Sequence, residues 1–294
     1  MHPATALPIL ALSLLLVLPL PLAPPAEPPS PADRADAAEG GAGEWPPLSQ
    51  AWIRPGVRLS EPSLQRISLC SANFIFADRD NASLYLGTAA HCVDRPIGTR
   101  VPIHGEDPTP QAWGTLVYNS WETLRLTGPI GGANTLNNDF ALIRIDPEYR
   151  GLVHPSTYRY GGPAGLAEPE DVAAGDPVVA YGNSPVRRVE EARWQEGCVV
   201  HRERYLTYLN MAPPMVPGDS GAPILSRDGL ALGVFSRIPP PHVDVARASV
   251  GGNVAVTNIA AALEFARTYA DVDVVLATWP EVAAPVLPSI PCST

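Results

Sequence analysis

The stretch PGDSGAP, Pro217 to Pro223, sets a serine between two glycines with an aspartate before it. A serine hydroxyl is a poor nucleophile near neutral pH. It needs a base to take its proton, and the base needs a group to orient it. Imidazole is the natural base, because its pKa lies near neutrality. Of the six histidines, His2, His91, His104, His154, His201 and His242, it is His91 that follows an apolar run and sits beside a cysteine, in GTAAHCVD. The orienting carboxylate has a candidate in Asp139, which opens the apolar run of NNDFALIRID. Each element has a plain alternative: glycine, aspartate and serine are ordinary turn residues, and a lone histidine is most often structural. In chain order, and each in its own context, His91, Asp139 and Ser220 together make a set suited to nucleophilic acyl transfer.

The totals exclude other chemistries. The 294-residue chain has a net charge of −10 and no lysine, so all 20 basic residues are arginines. An acidic chain without a basic run is a poor nucleic-acid binder. The absence of lysine removes Schiff-base and Ser–Lys mechanisms. No CxxC or HxxxH spacing occurs, so neither a metal site nor a cofactor is expected.

Around the three residues lie short apolar runs bounded by Gly, Pro and Asn: NFIFA from Asn73, LYLGTAA from Leu84, FALIRI from Phe140, PVVAYG from Pro177, APILS from Ala222 and ALGVFS from Ala231. Many short strands between turn signals predict an all-β barrel or sandwich. One segment, Thr257 to Ala270, carries Ile259, Ala262, Leu263 and Ala266 at helical spacing, with Thr257 or Asn258 as N-cap. VDVVLA, Val272 to Ala277, reads as one more strand.

The N-terminus is almost wholly apolar from Leu7 to Leu22, short for a membrane helix and broken by Pro8, Pro19 and Pro21. It reads as a secretory signal over residues 1–26, with an uncleaved anchor as the rival reading. A Pro/Ala/Gly-rich linker or pro-segment is expected over 27–58. The product is expected to be secreted or extracytoplasmic, with no stable membrane association once the signal is removed. An even count of four cysteines, Cys70, Cys92, Cys198 and Cys292, suits pairing in an oxidising compartment. Asn81-Ala82-Ser83 fits a glycosylation sequon.

With TAAHC at Thr88–Cys92, NDFALIRI around Asp139 and GDSGAP around Ser220, the chain resembles the chymotrypsin-like (trypsin-like) serine proteases, and among them the secreted bacterial members. Ala222 stands where the serine motif usually has glycine. The resemblance covers roughly residues 60 to 270. It implies two six-stranded antiparallel β-barrels with the active site between them, plus the C-terminal helix. The first barrel is expected over 59–165, the second with the helix over 166–280, and a tail over 281–294. It also implies an oxyanion hole from the N–H groups of Gly218 and Ser220, and a buried ion pair holding Asp219. No Ile-Val-Gly-Gly-like segment precedes the first barrel, so an arginine is the expected partner of Asp219, with Arg202 or Arg204 as candidates. Cys70 and Cys92 match the family's disulfide beside the histidine, whose loop of about 22 residues is worth roughly 3 kcal/mol; Cys198 and Cys292 have no match.

The resemblance also places the primary specificity pocket, at Pro214, Met215, Ser236 and Arg237. No acidic residue occurs from Asn210 to Gly218, so cleavage after Arg or Lys is not expected. An apolar pocket is favoured over one in which Arg237 turns inward to accept Asp or Glu. The expected activity is that of a monomeric serine endopeptidase acting on proteins or peptides. The alternative from another class is a catalytically inactive, protease-like binding protein.

Overall fold

The computed structural model describes residues 45–60, 69–79, 83–105, 109–238 and 253–282. The leader, the sequon residues Asn81 and Ala82, and Cys292 lie outside them. Strands β1 (Arg58–Ser60), β2 (Leu69–Ser71), β3 (Ile75–Asp78), β4 (Leu84–Thr88), β5 (Arg100–His104), β6 (Ala112–Asn119) and β7 (Ala141–Ile145) build the first half. Helix α1 (Ser120–Thr127) lies between β6 and β7. The second half holds β8 (Gly165–Leu166), β9 (Pro177–Tyr181), β10 (Trp194–Arg202), β11 (Leu206–Ala212), β12 (Pro223–Ser226), β13 (Leu230–Arg237) and β14 (Val254–Asn258). Helix α2 (Ile259–Ala270) and β15 (Val274–Leu276) complete the chain order.

The fold is all-β and is built of two sheets, one in each half. The second sheet runs β12-β9-β10-β11-β14-β13 and closes through the β12–β13 pairing, with β8 added in parallel on β13. This is a six-stranded barrel. The first sheet is antiparallel in the order β15-β3-β4-β7-β6-β5-β1-β2 and curves without closing. It has eight strands where six were expected. One of the two extra strands is β15, which returns from the second half to pair with β3.

Alternation explains the first sheet. In β6 the buried and half-buried residues alternate along AWGTLVYN, so one face packs inward. Ile75, Leu86, Ile103, Leu116 and Ile143 fill that interior. Val178, Leu209, Met211, Ile224, Leu232 and Val256 fill the second barrel. A third cluster lies where the halves meet. There Phe74, Phe76, Phe140 and Leu142 meet Val179, Leu225 and Val234, covered by Ile259, Ala262 and Ala266 of α2. Of the two expected N-cap residues, Asn258 occupies the position but does not cap. Its side chain accepts from Thr207 and donates to the carbonyls of Glu203 and Arg204.

One boundary needs correction. The stretch before residue 58 was expected to be linker, but from residue 45 onward it belongs to the first half. Ile53 and Val57 are buried in its core. Ile53 also bonds the chain on both sides, donating to the Leu152 carbonyl and accepting from His154 N–H. Composition alone hid this, because Pro, Gly and Ser surround a few well-spaced apolar residues.

Truncating Ile53 to alanine should therefore lower the unfolding free energy by about 2–5 kcal/mol, as for other buried aliphatic residues. A urea titration measures it. An unchanged midpoint would restore the linker reading.

Candidate active site

The histidine lies on a short 3-10 turn, Ala90–Val93, at the end of β4. Two ties hold this turn. The Cys70–Cys92 disulfide joins it to β2, with Cα atoms 6.1 Å apart. Asn119 reaches it from the other side: its amide donates to the carbonyls of Ala90 and Val93, both at 3.0 Å. The Asn119 Oδ1 in turn accepts from Trp121 N–H and caps helix α1. The ring of Trp121 then lies 6.2 Å from that of His91, centroid to centroid.

Asp139 is almost fully buried, at 2% exposure. Its Oδ1 accepts from His91 N–H at 2.9 Å, and its Oδ2 accepts from His91 Nδ1–H at 2.7 Å. Oδ2 also accepts from the Ser236 hydroxyl at 2.8 Å, so β13 of the second barrel supports the carboxylate of the first. Placing the proton on Nδ1 leaves Nε2 as an acceptor. Burial pulls the His91 pKa down, but the hydrogen bond and charge of Asp139 outweigh it and hold the group above its ordinary value of 6.5.

Ser220 comes from the turn between β11 and β12. Its carbonyl accepts from Ser71 N–H at 2.7 Å and lies 3.7 Å from the Cys92 sulfur. The turn is thus seated against the histidine turn. Glycine is required at Gly221: φ is +87°, and a Cβ there would lie 2.1 Å from the Ser71 carbonyl oxygen.

Every peptide unit of this turn is held at one end or both. The Pro217 carbonyl accepts from the Ser184 hydroxyl, and the Gly218 carbonyl from the Ser71 hydroxyl. The Asp219 carbonyl accepts from Ala222 N–H, while Asp219 N–H donates to Val216 and Gly221 N–H to Phe235. Two donors remain. Among the described residues no protein acceptor takes the N–H of Gly218 or of Ser220.

Asp219 is fully buried, and its partner is Arg187. The guanidinium grips it through Nε, at 3.0 and 3.1 Å, and through Nη2 at 2.5 Å. The same arginine donates to the carbonyls of Ala192 and Pro214. Ser184 N–H, Val216 N–H and the Gln195 amide satisfy what remains of the carboxylate. An arginine was expected here, but Arg202 and Arg204 are not it. Arg202 donates to the Glu168 carbonyl, and Arg204 pairs with Glu264 on α2. Both stand at the β10–β11 hairpin, at the end of β11 away from the serine turn.

The four expected pocket residues stand in different surroundings. Pro214 is exposed, and its carbonyl is taken by Arg187. Met215 is 2% exposed and packs in the core of the second barrel. Ser236 turns its hydroxyl to Asp139. Arg237 ends β13 half-buried, opposite Ala255. The chain that follows, residues 239–252, lies outside those described. Cys198 is disulfide-bonded and not free. Sequence reasoning missed Arg187, Asn119 and Ser71. Asn119 carried a readable signal, an Asn three residues before Glu122 at a helix start.

A family model described as a trypsin-like peptidase domain matches residues 70–234, more than half of the chain. No curated protein matches. Among solved structures, one of a glutamic acid specific serine protease, described as using a histidine triad in substrate binding, matches at 15% identity and a TM-score of 0.48. That match covers 76% of this chain and 100% of the other. The HtrA-type protease AlgW with a tripeptide matches at 17% identity and a TM-score of 0.48, over 76% of this chain and 63% of that one. A serine endoprotease from Yersinia pestis matches at 15% identity and a TM-score of 0.44, over 76% and 64%. The chain thus spans under two thirds of the last two.

Two outcomes follow from these contacts. The His91 imidazole, followed by NMR, should titrate with a midpoint above 6.5, and Asp139→Asn should lower that midpoint, because burial is then unopposed. Arg187→Met should cost about 3–5 kcal/mol by leaving a buried carboxylate unpaired. Chemical denaturation of the variant measures this, and a loss below 1 kcal/mol would mean that Asp219 is otherwise satisfied.

Proposed function

The chain belongs to the trypsin-like peptidase family, and from that premise we propose that it is a secreted serine endopeptidase working through an acyl-enzyme on Ser220. The observation that carries the reading is the ordered pair His91–Asp139, seated against a turn whose two spare N–H groups belong to Gly218 and Ser220.

In this mechanism the Ser220 hydroxyl attacks the scissile carbonyl while its proton passes to His91 Nε2. Asp139 keeps the Nδ1 proton in place and stabilises the imidazolium that forms. The carbonyl oxygen gains charge as the tetrahedral intermediate develops, and the N–H groups of Gly218 and Ser220 receive it. One such donor is worth roughly 3 kcal/mol of barrier. The leaving amine then takes the proton from His91. Water repeats the sequence on the acyl-enzyme and frees Ser220.

Substrates are proteins or peptides, as the family implies. The lack of an acidic residue from Asn210 to Gly218 argues against cleavage after Arg or Lys. An apolar residue before the scissile bond is the preferred reading, with Asp or Glu as the outcome if Arg237 turns inward. Export is supported by the apolar stretch Leu7 to Leu22 and by the Cys70–Cys92 disulfide, since such bonds persist in oxidising compartments.

Ser220→Ala or His91→Ala should lower kcat on a peptide substrate by about six orders of magnitude, with a smaller loss for Asp139→Asn. The wild-type protein should take a fluorophosphonate label on Ser220. Substantial peptidase activity in Ser220→Ala would sink the assignment, and an unlabelled, inactive wild type would point to a binding protein. Chromogenic peptides differing only before the scissile bond separate the specificities: efficient cleavage after Arg would contradict both.

A further inference from the structure

The four peptide units from Pro217 to Gly221 are not restrained alike. The Gly218–Asp219 and Ser220–Gly221 units are each held at both their C=O and N–H ends. The Asp219–Ser220 unit is held by a backbone donor, Ala222 N–H at 2.9 Å. Among the described residues the Pro217–Gly218 unit has one restraint, the Ser184 hydroxyl at 2.6 Å from the Pro217 carbonyl oxygen. A carbonyl oxygen can only accept, so the hydroxyl proton must point to it. The second contact of the Ser184 Oγ, from Val186 N–H at 3.3 Å, is then one in which the hydroxyl oxygen accepts.

The peptide bond is planar and trans, so its C=O and N–H point in opposite directions. Fixing the Pro217 carbonyl on Ser184 therefore aims the Gly218 N–H the other way, away from Ser184. Nothing else in the chain's local chemistry compels this. Gly218 has φ +99° and no side chain, so its own backbone preference does not fix the peptide unit ahead of it. Ser184 itself is fully buried and well fixed. Its N–H donates to Asp219 Oδ1 at 3.1 Å, and it lies three residues before Arg187 on the same loop.

We infer that Ser184 is a positioning residue for the proposed reaction, its hydroxyl locking the Pro217–Gly218 peptide in the orientation that turns the Gly218 N–H into an oxyanion donor. The inference rests on the reading of Ser220 as nucleophile and of the Gly218 and Ser220 amides as the oxyanion hole. The loop bearing Ser184 and Arg187 thus does two separable things. Arg187 holds the carboxylate of the turn, and Ser184 orients one of its peptides.

The test compares wild type with Ser184→Ala, using p-nitrophenyl acetate as substrate and benzeneboronic acid as a tetrahedral-adduct probe. The expected result is a kcat lower by about 10- to 100-fold, since a misdirected donor forfeits part of the 10²–10³ that one donor supplies. KM should stay within about twofold, and the benzeneboronate Ki should rise by a factor similar to the fall in kcat. Loss of folded protein alone would lower kcat per total enzyme at an unchanged Ki, and that result would overturn the inference. So would unchanged kcat and Ki. Where the alanine variant does not accumulate as folded protein, Ser184→Cys makes the same comparison with a weaker donor of similar shape. A wild type that shows no acylation and takes no fluorophosphonate label on Ser220 would overturn the functional reading and this inference together. An active wild type with unaltered Ser184 variants would overturn this inference alone.

Discussion

The buried ion pair between Arg187 and Asp219 is the contact on which the rest of the site depends. Both side chains are almost wholly removed from water, at 6% and 0% exposure. Taking two charges out of water costs several kcal/mol each, and their attraction offsets that only when geometry and hydrogen bonding are good. Here they are: the carboxylate also receives two backbone N–H groups and an amide, and the guanidinium also reaches two carbonyls. Such a pair adds little net stability over a well-packed apolar pair, but it admits few alternative arrangements. Asp219 neighbours Ser220, so the arrangement that satisfies the carboxylate also fixes the backbone carrying the serine.

The second constraint is that the site is built across two sheets. The first half supplies His91 and Asp139, and the second supplies Ser220 and Ser236. Polar contacts carry the registration. Ser236 donates to Asp139, Thr257 accepts from Asp139 N–H, and Ser71 contacts both Ser220 and Gly218. Asn183 adds to this seam, donating through N–H to the Ser71 hydroxyl and through its amide to the Gly56 carbonyl. Gly56 and Arg58 lie in the stretch first read as linker, and Arg58 donates to Asn183 in turn. The N-terminal segment is therefore part of the frame around the serine turn.

What could be read from sequence divides along physical lines. His91, Asp139 and Ser220 were legible because each lies in a local pattern whose residues serve local geometry: small residues around the serine turn, an apolar strand after the aspartate. Arg187 was not legible, because the pairing is a long-range contact and 20 arginines offer themselves equally. Burial chose among them, not local sequence. The segment before residue 58 was misread for a related reason. Its Pro and Gly content suits a linker, while its few apolar residues, Ile53 and Val57 among them, fill the first core only once β1 is in place. The short helix α1 escaped because its eight residues bury little beyond Ser120 and Leu124. The pocket positions are a different case: chain position alone cannot say whether a residue such as Met215 faces a cleft or a barrel core, and Met215 packs in the core.

These features together locate the control of the serine turn. The charge that neutralises Asp219 sits on the loop between β9 and β10, within the same barrel as the turn. Ser184, on that loop, holds the Pro217 carbonyl, and Gln195 of β10 reaches Asp219. Closing the second barrel brings all of these to the turn at once, because β9 pairs with both β10 and β12. The turn's conformation is thereby tied to the folding of that barrel. The first half then contributes through Ser71 and the histidine turn. In the proposed reaction its part is to bring His91 to Ser220, whose backbone the second barrel holds.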